Sequence, residues 1–93
     1  MAKISVQLVS AEKYEVTVEA GTTTTHEVTL SRSYLERVSG GKAVTAEHMI
    51  ETSFRFLLAR ESNTMILERF DLPVIGRYFP EFEGVIKGML VNR

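Results

Sequence analysis

Ninety-three residues suffice for one core, and a composition of 44% apolar and 25% charged residues is that of a folded chain, not a disordered one. Eleven basic residues against twelve acidic leave a net charge of −1. That balance argues against nucleic-acid binding and polybasic membrane attachment, both of which draw affinity from a basic excess. Without cysteine there is no disulfide, no thiolate zinc site and no cysteine nucleophile.

The chain begins with an alternating stretch, Met1-Ala2-Lys3-Ile4-Ser5-Val6, where a signal peptide would show an apolar run; the longest apolar runs, such as Phe56-Leu57-Leu58-Ala59, are far too short for a bilayer. A cytoplasmic protein is the expectation. Residues 1–30 predict three strands. Ile4, Val6 and Leu8 alternate with polar neighbours, as do Tyr14, Val16 and Val18, and then Val28 and Leu30. A period of two gives each strand one apolar and one polar face. The connections Ser10-Ala11-Glu12-Lys13 and Glu19-Ala20-Gly21-Thr22 are too short for anything but hairpins, so the strands form an antiparallel meander.

Residues 31–93 read as the helical half. Ser31 or Ser33 caps a short helix that ends at Gly40-Gly41, a turn that is also the best hinge candidate. Thr45 caps a longer helix to about Arg60. Its apolar residues Ala46, Met49, Ile50, Phe54, Leu57 and Leu58, flanked by Phe56, cover about half the circumference. Such a helix touches two layers, the sheet on one side and the C-terminal aromatics on the other. Ser62-Asn63 predicts another short helix through Met65, Ile66 and Phe70, ended by Pro73. Pro73 then opens a turn through Tyr78, and Pro80 opens a last helix with Phe82, Val85, Ile86, Met89 and Leu90 as one stripe and Glu83 spaced to pair with Lys87. The fold class is α+β: a three-stranded antiparallel meander (βββ) followed by three to four helices packed on one face of the sheet, in a single domain over residues 1–93.

Chemistry is sparse. His26 shares the parity of Val28 and so points to the apolar face, either as a buried histidine with a backbone partner or as a base or ligand in a pocket between sheet and helices. His48 lies on a polar helix arc with Glu51, Thr52 and Arg55; two metal ligands by spacing, with no motif supplying two more, read better as a solvated face. Gly41-Lys42 is followed by Ala43 and position 36 is Glu36, so the phosphate-loop pattern fails at both ends. No metalloprotease, nucleophile-elbow or dinucleotide signature occurs. No catalytic residue, metal ligand or cofactor is assigned. The outer sheet face has no aromatic and more glutamates than lysines, which argues against an RNA platform.

Association remains. The first strand carries Lys3 as its only charge and no proline, so Lys3, Ser5, Gln7 and Val9 are interface candidates for pairing with a second copy. Residues 70–82 hold both prolines and four of the eight aromatics. Phe70, Ile75, Phe79 and Phe82 read as core, whereas Arg77 and Tyr78 are candidate anchors for a partner. The stretch from Phe54 through Phe82, above all Phe70-Asp71-Leu72-Pro73-Val74-Ile75-Gly76-Arg77-Tyr78-Phe79-Pro80, resembles the C-terminal half of a type of small prokaryotic proteins of similar length. The resemblance implies a compact prokaryotic cytosolic domain and transfers no reaction, ligand or functional residue. The first functional reading is therefore a small non-catalytic domain that binds protein, itself included. The second is a small-molecule-binding domain or minor enzyme with a pocket at His26 and Arg77. A weaker third is a nucleic-acid-associated protein using Arg55, Arg60, Arg69 and Arg77.

Overall fold

The computed structural model describes residues 2–91. Strands β1 (Lys3–Ser10), β2 (Lys13–Ala20) and β3 (Thr22–Thr29) form the antiparallel meander, with Ile4 opposite Val18, Val6 opposite Val16 and Val16 opposite His26. The pleat sends Val16, Val18 and Val28 inward, where they are fully buried. Gly21 closes the second hairpin at φ 85°, a backbone conformation that glycine adopts without steric cost. Glu12 closes the first at φ 61°, and two contacts hold it there: its carbonyl accepts from the Leu30 amide at 2.9 Å, and its carboxylate accepts from the Arg32 amide at 3.0 Å.

Helix α1 (Arg32–Ser39) starts where the Ser31 hydroxyl accepts the Tyr34 amide at 3.1 Å, and it ends at Gly40 with φ 66°. Helix α2 (Ala46–Leu58) is capped by Thr45, whose hydroxyl accepts the His48 amide at 3.0 Å. It lies between two layers, as its wide apolar arc predicts. Phe54 meets His26 and Phe70 toward the sheet, at ring distances of 5.5 and 6.1 Å. Phe56 meets Phe79 and Phe82 edge-on toward the C-terminal segment, at 5.8 and 5.2 Å.

The helix expected from Ser62 to Phe70 does not form. Only a single 3-10 turn, Asn63–Met65, appears; Ile66 is extended, and Arg69–Asp71 becomes a fourth strand, β4, parallel to β3. The sheet order is β1-β2-β3-β4. Polar groups of β3 explain the outcome. Asn63 is buried and donates to the Thr22 carbonyl at 2.8 Å and to Thr24 Oγ1 at 2.9 Å. His26 Nδ1 bonds the Leu67 carbonyl at 2.8 Å, and the Glu27 amide donates to the Glu68 carbonyl at 2.8 Å. A helix would withdraw those partners from buried groups that need them.

Pro73 lies in a second 3-10 turn, Leu72–Val74, that runs into the one-turn helix α3 (Ile75–Tyr78); α4 (Phe82–Val91) follows. In α4 the buried stripe is Phe82, Ile86 and Leu90, while Val85 and Met89 are exposed. Glu83 turns from Lys87 to α1, accepting from the Tyr34 hydroxyl at 2.9 Å and pairing with Arg37 at 3.1 Å. All helices lie on one face of the sheet, and no helix of the described residues is long and apolar enough to cross a membrane.

Candidate binding groove

Because the chain after α2 turns back to the sheet edge instead of forming a helix, its side chains open a groove between that return and α3. The groove encloses about 320 Å³, with Leu57 from the end of α2, Met65 and Leu67 from the return, Phe70 from β4, and Ile75 and Tyr78 from α3 among its walls. Met65, Leu67 and Tyr78 are large apolar or aromatic residues left 70%, 44% and 66% exposed. Single exposed apolar residues are ordinary; three converging on one concavity are not. Glu61 stands at the rim, and its carboxylate has no hydrogen bond or ion pair among the described residues.

The floor is fixed from below. The Asn63 amide donates to Thr24 Oγ1, so the Thr24 hydroxyl hydrogen is free to turn to His26 Nε2, 2.9 Å away. That arrangement leaves the proton of a neutral imidazole on Nδ1, aimed at the Leu67 carbonyl. The network runs Asn63, Thr24, His26, Leu67, and Phe54 packs on the imidazole from the core side. His26, only 3% exposed, is thus the support behind one wall of the groove.

His26 and Arg77, expected to line one pocket, do not meet. Arg77 is exposed on α3 and is not among the groove's walls, whereas its neighbour Tyr78 is. A shallower depression of about 220 Å³ reaches His26 from the outer sheet face, among Lys13, Glu15, Glu27, Glu68 and Arg69. Its charges are mixed, and Lys13 and Glu27 are paired at 3.4 Å. Of the four arginines weighed for nucleic acid, Arg55 pairs with Glu51 at 2.9 Å and Arg60 with Glu81 at 3.5 Å, so they form no single basic face. Arg60 also stacks 3.6 Å over the Phe56 ring.

Thr52, placed on the polar arc beside His48, is buried instead. No group of three or more histidine, aspartate or glutamate side chains converges on a metal position among the described residues. Burial, then the Glu83 hydrogen bond and charge, push the Tyr34 phenol up from its ordinary value; burial, Glu47 and Glu12 raise Tyr14. Neither tyrosine lines the groove.

The sequence did not single out Glu61, Met65 or Leu67. The apolar spacing predicts a short helix through Met65, and only the return of the chain to β3 exposes that residue. At the other edge of the sheet, Lys3, Ser5, Gln7 and Val9 are exposed on β1, and Leu8 is 53% exposed. No protein-family model, curated protein or solved structure matches the chain.

Proposed function

We propose that this protein is a small non-catalytic binding domain whose groove takes an apolar segment of a partner protein. The observation that supports the reading is the convergence of exposed Met65, Leu67 and Tyr78 on one concavity with a single unpaired carboxylate, Glu61, at its rim. A tyrosine with an apolar ring and a free hydroxyl suits an interface anchor. Glu61 favours a segment with a lysine or arginine beside its apolar residues, because the charge gains a partner at little desolvation cost at the rim. The walls set one carboxylate and one phenol among eight apolar residues, a lining that suits apolar contact better than catalysis. A cytoplasmic setting accords with the cysteine-free composition.

Panning a random peptide library against the protein tests this. Enriched peptides are expected to place a large apolar residue near a lysine or arginine, and Leu67→Ser is expected to weaken them at least about tenfold, the loss of one buried apolar side chain. Enrichment without that pattern, or binding indifferent to Leu67→Ser and Glu61→Gln, overturns the proposal. The second reading, a small-molecule site, draws on the volume of about 320 Å³, at the lower end of ligand pockets. It predicts thermal stabilisation by a metabolite at the same walls.

A further inference from the structure

The sheet has two unlike edges. β4 is three residues long and is flanked by the turns that build the groove. β1 is eight residues long, contains no proline, and pairs on one side only, with β2. Natural edge strands are blunted by charges, prolines, bulges or shortness. β1 has a register shift between Leu8 and Ser10 and one lysine, Lys3, which stands opposite Glu19 of β2. From Lys3 to Leu8 the strand is regular, and its only charge already faces an opposite one.

We infer that β1 pairs antiparallel with β1 of a second copy about a twofold axis through Val6, joining two four-stranded sheets into one of eight strands. Antiparallel partners that face each other must point to the same side of the sheet, so positions of like parity must meet. A register centred on Val6 sets Ile4 against Leu8, Ser5 against Gln7, and Lys3 against Val9. No like charges oppose one another. The exposed Leu8 gains an apolar partner in Ile4, which is already half-buried against the core. Centring on Ser5 would set Leu8 only against the small Ala2, beyond the start of the strand. The shift after Leu8 leaves Ile4 to Leu8, the five positions centred on Val6, as the regularly paired stretch, with Lys3 and Val9 at its margins. Both inner faces fall on the same side, which carries the helical layers of both copies, and α2, which packs beneath β1, comes to the seam from each protomer. The occupant is a second copy because the strand complements itself.

The absence of cysteine supplies the test. Sedimentation of the full chain at rising concentration is expected to move from 10.5 kDa toward twice that value. Ser5→Cys and Gln7→Cys proteins, mixed and oxidised, are expected to cross-link to each other several times faster than either does alone. Residues 5 and 7 face directly, whereas like pairs sit on a diagonal of roughly 7–8 Å, beyond ordinary disulfide reach. The double variant Ser5→Lys, Gln7→Lys, which alters only the outer face, is expected to remain folded and monomeric, while Leu67→Ser in the groove leaves the dimer intact. A monomer at every concentration, equal cross-linking in mixed and single samples, or a dimer that survives the two lysines overturns the inference.

Discussion

Replacing Asn63 by aspartate exchanges one nitrogen for oxygen and leaves size and shape almost unchanged. Asn63 is 3% exposed, and its amide donates to the Thr22 carbonyl at 2.8 Å and to Thr24 Oγ1 at 2.9 Å. The variant loses both donors. Two neutral hydrogen bonds contribute about 2 kcal/mol net, and a buried carbonyl left facing a carboxylate oxygen costs about 1–3 kcal/mol more. The expected destabilisation is therefore about 3–5 kcal/mol, against a total of roughly 5–15 kcal/mol for a domain. The melting temperature should fall by at least about 12 °C at this size.

Urea unfolding reads the energy, with an unchanged m-value showing that the cooperative unit is the same. Hydrogen exchange reads the place. The Met65 and Ile66 amides, bonded to the Ser62 and Asn63 carbonyls at 3.0 and 3.2 Å, are expected to lose protection first, because the turn that carries them has lost its tie to the sheet. Asn63→Ala removes the same donors without adding charge, so the difference between the variants isolates the cost of the carboxylate. A loss under about 1 kcal/mol with unchanged exchange at Met65 and Ile66 would refute the claim that this side chain displaces the expected helix.

His26→Phe keeps a ring against Phe54 but strands the Leu67 carbonyl and frees Thr24; a loss of about 2–3 kcal/mol is expected, together with weaker peptide capture in the groove, and unchanged capture would sever His26 from the groove wall. Tyr34 gives a pH test. Folded Tyr34 holds its proton above the ordinary value of 10 because burial and Glu83 disfavour the phenolate, whereas the unfolded chain releases it near 10. Above that pH the folded state binds more protons than the unfolded, so this contribution is whole below 10 and fades as pH rises past it. Tyr34→Phe should flatten the alkaline fall in urea midpoint, with Tyr14, shifted the same way, leaving a remainder; an unchanged fall would show that the buried Tyr34 phenol does not contribute to it.

The strands, α1 and α2 were legible because each rests on local signals: alternation, the Ser31 and Thr45 caps, and the glycine pair after α1. The return through β4 was not. Met65, Ile66 and Phe70 carry an apolar spacing that suits a helix as well as a strand, and what decides between them is a set of partners about forty positions away, Thr22, Thr24 and His26. A three-residue strand also gives no alternation to detect. The α4 stripe was overdrawn for a related reason. Its spacing marks positions that are able to face inward, but α2 and α1 cover only Phe82, Ile86 and Leu90. Tyr78 stood out by composition, whereas Met65, Leu67 and Glu61 acquire meaning only when the return brings them to α3.

That return also separates the two proposed surfaces. β1 lies three strand spacings from β4, roughly 14 Å across the sheet at about 4.8 Å each, and none of the groove's walls belongs to β1, β2 or β3. Pairing through β1 therefore covers none of the groove walls, and a dimer joined there carries its two grooves at opposite ends of one continuous sheet. The second of two linked segments then binds at an effective concentration set by its linker, not by bulk solution, provided the linker spans the sheet. A single groove of about 320 Å³, open to solvent and holding one charge, suits weak capture of one short segment. In the proposed dimer, two such grooves would convert that weak contact into selection for partners that present two segments at the matching distance. The physical link between the sheet edge and the groove is the network Asn63, Thr24, His26 and Leu67, which fastens the groove wall to β3 and so fixes the span between the two sites.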